Sequence, residues 1–78
     1  VEDGKAALPH LYRVLESDAD HVGAHFEIGR ILLSEDDAEG VKHLEKVMTL
    51  APPSLVTCNE LLYNFFQNNG DEETARRY

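Results

Sequence analysis

The stretch AHFEIGRILL, residues 24–33, decides the fold of this chain because its pattern predicts a helix with a glycine near its centre. Apolar residues recur within it at helical spacing, and Gly29 lies among them. Glycine inside a helix costs roughly 0.5–1 kcal/mol relative to alanine. We therefore expect Gly29 to lie where a second helix approaches closely, because such a contact offsets the conformational cost.

Four apolar stripes with helical spacing run along the chain. Their residues are Leu8, Leu11, Tyr12 and Leu15; Ala24, Ile28, Ile31 and Leu32; Val41, Leu44, Val47 and Met48; and Cys58, Leu61, Leu62, Phe65 and Phe66. No stretch alternates between apolar and polar residues in the manner of a half-buried strand. The sequence therefore predicts an all-α fold.

Capping and turn residues divide these stripes into separate helices. The predicted helices lie near residues 4–16, 21–34, 37–50 and 54–68, and a fifth starts at residue 71. The candidate N-caps are Asp20, Asp36 with Glu39 three residues later, Ser54 and Asp71, while Asn69-Gly70 is typical of a helix stop. Short connections make successive helices antiparallel neighbours.

Pro9 leaves two possibilities for the first helix. A proline beyond the first turn clashes with the carbonyl group four residues earlier in the chain. The helix therefore either begins near Leu8 or kinks at the proline.

The second and third predicted helices form a hairpin in which two glycines face each other. Gly29 lies on the apolar stripe of the second helix, and Gly40 lies one turn into the third. A short turn between two antiparallel helices places Gly29 and Gly40 opposite each other, so the two backbones can approach closely. A bulky residue at either position would push the helices apart.

This arrangement resembles the tetratricopeptide repeat, a helix-turn-helix unit of about 34 residues with a small residue in each helix at the crossing. The residues that match are Ala24, Phe26, Ile28, Gly29 and Leu32 in the first helix, Gly40, Leu44, Val47 and Leu50 in the second, and Pro52 at the closing position. The resemblance implies an αα solenoid of antiparallel helix hairpins. Its parts would be the second helix of a preceding repeat (1–20), a complete repeat (21–53) and the start of a third repeat (54–78), all within one domain.

Small residues also recur at the repeat period. Ala7 and Gly40 are 33 residues apart, and Gly40 and Ala75 are 35 residues apart. We therefore expect Ala7, Gly29, Gly40 and Ala75 to be the positions at which helices pack closely. Tyr63 departs from the pattern, since the repeat has a small residue at that place. The pattern is cut off in a final helix, so the chain is interpreted as a fragment of a longer protein.

The charge balance limits the classes of partner. The chain carries 15 acidic and seven basic residues, which gives a net charge of −8. This field would repel nucleic acid and anionic membrane surfaces, whereas a basic peptide is compatible with it. No apolar run reaches the roughly 20 residues of a membrane span. The lone cysteine, Cys58, cannot form an internal disulfide, which favours a reducing, cytoplasmic compartment.

The sequence contains no pattern that indicates catalysis. His21 and His25 have a spacing that metal sites use, but no third ligand accompanies them, so solvation and helix packing are their expected roles. Cys58 is in phase with Leu62 and Phe66, which predicts a buried small residue rather than a nucleophile. We therefore expect a chain that is not an enzyme and holds neither a metal ion nor a cofactor.

The resemblance also implies a function. In stacked repeats the first helix of each hairpin lines a concave surface that holds a protein or a peptide. The residues at the corresponding positions that would contact such a partner are Phe26, Arg30, Leu33, Glu60, Asn64 and Gln67. We therefore expect a protein-interaction or scaffolding module.

Two alternatives remain open. The runs GRILLSEDDAEGVKHLEKVM (29–48) and CNELLYNFF (58–66) are loosely similar to helical tails of some bacterial zinc metalloproteases, which would make the chain an accessory part of a larger enzyme. So short an array would also leave the outer faces of its end helices partly bare, which predicts a homodimer through those helices or contact with further chain. The residues on these faces are Leu8, Leu15, Phe65 and Phe66.

Overall fold

The computed structural model describes residues 4–78, which form helices joined by short connections. The elements are a 3₁₀ turn (Gly4–Ala7), α1 (Leu8–Ser17), α2 (Val22–Ser34), α3 (Glu39–Leu50), a second 3₁₀ turn (Pro52–Ser54), α4 (Leu55–Asn68) and the one-turn α5 (Glu72–Ala75). This described part of the chain contains no strand. The prediction of an all-α fold with four helices and a short fifth is confirmed.

The first helix begins at Leu8, which settles the two possibilities left by Pro9. The proline lies in the first turn of α1. There its missing N–H group has no intrahelical partner to lose, and its fixed φ angle suits the helix. Residues 4–7 form a 3₁₀ turn instead of the α-helix predicted from residue 4.

The N-cap predicted for α2 is wrong. The cap is His21, whose Nδ1 atom accepts a hydrogen bond of 2.9 Å from the backbone N–H of Ala24. Asp20 precedes the cap position by one residue, and its carboxylate pairs with Lys46 of α3 at 3.3 Å. Asp20 therefore links the connection before α2 to α3 instead of capping α2.

The side-chain caps predicted for α3 and α4 are also wrong. α3 begins two residues later than predicted, so Asp37 rather than Asp36 accepts from the N–H of Glu39, at 2.9 Å. Asp36 lies in the turn with a φ of 63°. The hydroxyl of Ser54 donates back to the carbonyl of Ala51 at 2.7 Å, and it makes no cap hydrogen bond to α4.

The turn between α4 and α5 forms as predicted. Gly70 has a φ of 77°, a left-handed conformation that glycine adopts without steric cost. Asp71 caps α5 by accepting from the N–H of Thr74 at 3.1 Å. Hydrogen bonding from Thr74 holds the pKa of the Asp71 carboxyl below its ordinary value.

The hairpin of α2 and α3 is built on a close approach of two backbones. A Cβ atom on Gly40 would lie 2.6 Å from the carbonyl oxygen of Gly29. A Cβ atom on Gly29 would lie 3.0 Å from the carbonyl oxygen of Gly40 and 2.8 Å from Cγ of Leu44. Neither position therefore has room for a side chain, and the close contact compensates for the helix propensity that two glycines forfeit.

The core lies between α2, α3 and α4. Its buried apolar residues are Ala24, Ile28, Ile31 and Leu32 of α2, Leu44 and Val47 of α3, Cys58 and Leu62 of α4, and Ala75 of α5. α1 contributes no buried residue and packs mainly on α2. Of the four small residues expected at close helix contacts, Gly29, Gly40 and Ala75 are buried, whereas Ala7 is exposed. Ala7 lies in the 3₁₀ turn, outside the helix that would have placed it against a neighbour.

Tyr78 fastens the end of the described chain to α3 and α4. Its ring stacks on that of Phe66, with centroids 5.9 Å apart and planes 3° from parallel. Its hydroxyl donates to Oε2 of Glu45 at 3.1 Å. Burial raises the pKa of Tyr78 above its ordinary value, and the neighbouring Glu45 carboxylate adds to the increase.

We expect Gly40→Ala to lower the free energy of unfolding by about 1–3 kcal/mol, because the new methyl group must displace the Gly29 backbone. This loss should exceed the gain of about 0.5–1 kcal/mol in helix propensity. Urea denaturation followed by circular dichroism measures the change. The matched control is Gly23→Ala, an exposed position in α2 whose Cβ would contact only the His21 ring, at 3.1 Å. Equal stability of the two variants would contradict the role assigned to the glycine contact.

Candidate functional site

A groove of about 470 Å³ lies between α2, the turn that follows α2, and α4. Natural ligand pockets range from about 300 to 1,000 Å³, so this groove is large enough to hold part of a ligand. Its apolar lining residues are Leu33, Leu61 and Phe65. Its polar lining residues are Arg30, Ser34, Asp36, Asn64, Asn68 and Asn69.

Helical spacing brings these side chains together. Within α4 the lining residues Leu61, Asn64, Phe65 and Asn68 follow one another at intervals of three or four, so they share one face of the helix. Arg30 and Leu33 occupy one face of α2 in the same way. Two helices that are separated in sequence by the whole of α3 therefore present one face each to the groove.

The positive charge in the groove is already compensated. The Arg30 guanidinium donates from Nε to Oε1 of Glu27 at 3.0 Å, one helical turn earlier. Both side chains remain about half exposed. Arg30 is therefore positioned at the groove by a partner on its own helix, and the pair contributes no net charge.

The amide groups that line the groove differ in their bonding. Asn69 donates from its side chain to the carbonyl of Phe65 at 2.8 Å, which completes the end of α4. Among the described residues, Asn64 and Asn68 make no side-chain hydrogen bond. Each of these two amides keeps two donor hydrogens and a carbonyl oxygen for a ligand.

The structure brings together half of the residues predicted to contact a partner. Arg30, Leu33 and Asn64 line the groove. Phe26 is partly buried against the core instead. Glu60 lines a smaller recess beside Tyr63 and Tyr78. Gln67 lines another recess, in which its side chain donates to the hydroxyl of Tyr63 at 3.1 Å.

Sequence reasoning missed several lining residues. Leu61 and Phe65 were placed on the apolar stripe of α4, and Phe65 also on an outer face of the array; both are only partly buried, and both line the groove. Asn68 lies four residues after Asn64, so the period of the helix was a signal that could have found it. Nothing in the local sequence indicates that Asp36 turns toward the same groove, because its position depends on the path of the turn after α2.

Two histidines meet away from the groove, and they are not the pair singled out by spacing. Nδ1 of His25 lies 3.0 Å from Nδ1 of His43, and Nε2 of His25 lies 2.8 Å from the carbonyl oxygen of Ala19. The carbonyl can only accept, so a neutral His25 carries its proton on Nε2 and accepts from His43. Burial lowers the pKa of His43, and the neighbouring His25 adds to this effect. These contacts join α2 and α3 to the connection before α2, which is a structural role.

Cys58 is fully buried in the core. Burial raises the pKa of its thiol, so little thiolate is present near neutral pH. Its sulfur lies 3.8 Å from the hydroxyl of Ser54, a residue that cannot act as a base. The position of Cys58 therefore agrees with packing and lacks the surroundings of a nucleophile.

Comparisons with known proteins find no matching family model, no matching curated protein and no matching solved structure. No helix of the described chain has the length and apolar character needed to cross a membrane. Within residues 4–78, no group of three or more histidine, cysteine, aspartate or glutamate side chains is placed to hold a metal ion.

We expect Cys58 to react with iodoacetamide at least about tenfold more slowly in the folded chain than in urea, because burial and a raised pKa both suppress the thiolate. Mass spectrometry of samples quenched over time gives the two rates. A short unstructured cysteine peptide, alkylated with and without urea, corrects for the effect of urea on the reaction. Rapid alkylation of the folded chain would show that Cys58 is accessible.

Proposed function

We propose that this chain is a non-catalytic protein-interaction module of the tetratricopeptide-repeat type, which holds a peptide segment of its partner in the groove between α2 and α4. The groove carries this proposal. It is formed by the first helices of two successive hairpins, α2–α3 and α4–α5, which are the helices expected to face a partner in such an array.

The packing of small residues supports the repeat arrangement. Gly40 and Ala75 are buried in the second helices of the two hairpins, 35 residues apart. Pro52 follows α3 at the position where the repeat closes. On this proposal α1 is the second helix of a preceding hairpin, which agrees with its packing mainly on α2.

The lining of the groove suits an extended peptide. The apolar side chains of Leu33, Leu61 and Phe65 offer a surface for one or two apolar side chains of the partner. The side-chain amides of Asn64 and Asn68 have the same donor and acceptor groups as a peptide bond, so they can pair with the partner's backbone. Such contacts bind a peptide without any chemical step.

We expect Asn64→Arg to weaken the binding of a peptide selected against this chain from a random display library by about tenfold or more, which corresponds to about 1.4 kcal/mol. The larger side chain would fill the groove and remove a free amide. Fluorescence anisotropy of the labelled peptide measures the affinity.

The matched control for this experiment is Val56→Arg, which adds the same charge to an exposed position of the same helix that lines neither the groove nor the two recesses described above. Its affinity should stay within about twofold of that of the parent chain. A similar loss in both variants, or no loss in either, would place the peptide outside the groove. Circular dichroism confirms that both variants keep their helices.

A further inference from the structure

One acidic side chain lines the groove without a partner in the described chain. Asp36 belongs to the lining of the groove, and its backbone N–H donates to the carbonyl of Leu33 at 3.0 Å. Its carboxylate makes no hydrogen bond or ion pair with any of the side chains that the structure describes, residues 6–78. A full negative charge is therefore presented to whatever enters this end of the groove.

The other charged residue of the lining does not compensate Asp36. Arg30 is engaged by Glu27 at 3.0 Å on α2. Arg30, Glu27 and Asp36 together therefore leave one net negative charge at the groove. The field of the whole chain has the same sign, since the net charge is −8. An occupant with a positive charge is attracted by both the local and the overall field.

The apolar part of the groove favours an occupant that also carries an apolar side chain. Leu33 and Leu61 are only partly buried by the core, so an apolar side chain entering the groove would remove more of their surface from water. Asp36 and Leu33 lie three residues apart and line the same groove. The acidic and apolar parts of the site are therefore adjacent.

We propose that the groove recognises a basic–apolar peptide segment, in which an apolar side chain packs on Leu33, Leu61 and Phe65 while a neighbouring lysine or arginine pairs with Asp36. This inference rests on the proposed function and specifies its partner. Asp36 acts as a specificity determinant, because the ion pair distinguishes basic from acidic segments that carry the same apolar side chain.

Asp36→Asn tests the role of the charge alone, because it removes the carboxylate charge and preserves the backbone conformation. The φ of Asp36 is 63°, in the left-handed region that asparagine and aspartate tolerate better than other non-glycine residues. Alanine at this position would add strain to the loss of charge. The matched control is Asp18→Asn, which removes one charge from an exposed position that does not line the groove.

The probes are two capped synthetic peptides with Gly-Ser flanks, one with the core Lys-Leu-Lys and the other with the core Glu-Leu-Glu. Titration of the ¹⁵N-labelled chain by NMR gives both the affinity and the site, through the shifts of the Asn64 and Asn68 amide signals. We expect the parent chain to prefer the basic peptide by about fivefold or more at low ionic strength. Asp36→Asn should reduce this preference to about twofold, and Asp18→Asn should leave it unchanged.

The outcomes separate this inference from the function on which it rests. If both peptides shift the groove signals with equal affinity, the groove binds peptides but the assignment of Asp36 is overturned. If Asp18→Asn reduces the preference as much as Asp36→Asn does, the preference comes from the overall field and the assignment is again overturned. If neither peptide shifts the groove signals at millimolar concentration while both variants remain folded, the inference and the proposed function fail together.

Discussion

The close approach of Gly29 and Gly40 is the contact on which the rest of the fold depends. It sets the distance between α2 and α3, and so it determines how deeply Leu44 reaches toward α2. The same contact shapes the groove, because a Cβ atom on Gly40 would lie 3.0 Å from Cγ of Leu33. Leu33 also lines the groove. The absence of a side chain at Gly40 in α3 therefore determines where Leu33 of α2 can lie in the groove.

Features that repeat along the chain could be predicted from the sequence. Helical periodicity identified α1 to α4, the turn residues before Asp71 indicated α5, and the need to compensate two glycines indicated a close hairpin. The ends of the helices were harder to predict from the sequence, because several side chains compete for the same few backbone N–H groups. Asp20 and His21 are both able to cap α2, and the ion pair of Asp20 with Lys46 belongs to tertiary structure that local sequence does not contain. Ala7 was misplaced for a related reason, since spacing alone does not tell a 3₁₀ turn from an α-helix.

The candidate site was only half predictable. Positions on α2 and α4 can be placed on a helix face from the sequence, and three of the residues predicted in this way, Arg30, Leu33 and Asn64, line the groove. Periodicity does not show which part of an apolar stripe is covered by a neighbouring helix, so Leu61 and Phe65 were placed on the apolar stripe of α4 without being recognised as groove residues. The contribution of Asp36 depends on the path of the turn after α2, in which Asp36 has a φ of 63°. The charge at the groove therefore emerged only from the three-dimensional arrangement.

The contact between His25 and His43 needs one proton donor and one acceptor. One Nδ1 atom can donate to the other as long as one of the two rings is neutral and accepts, so the bridge between α2 and α3 tolerates one charged ring. With both rings charged, two N–H donors would face each other only 3.0 Å apart. The contact between α2 and α3 therefore becomes repulsive only when both rings are charged.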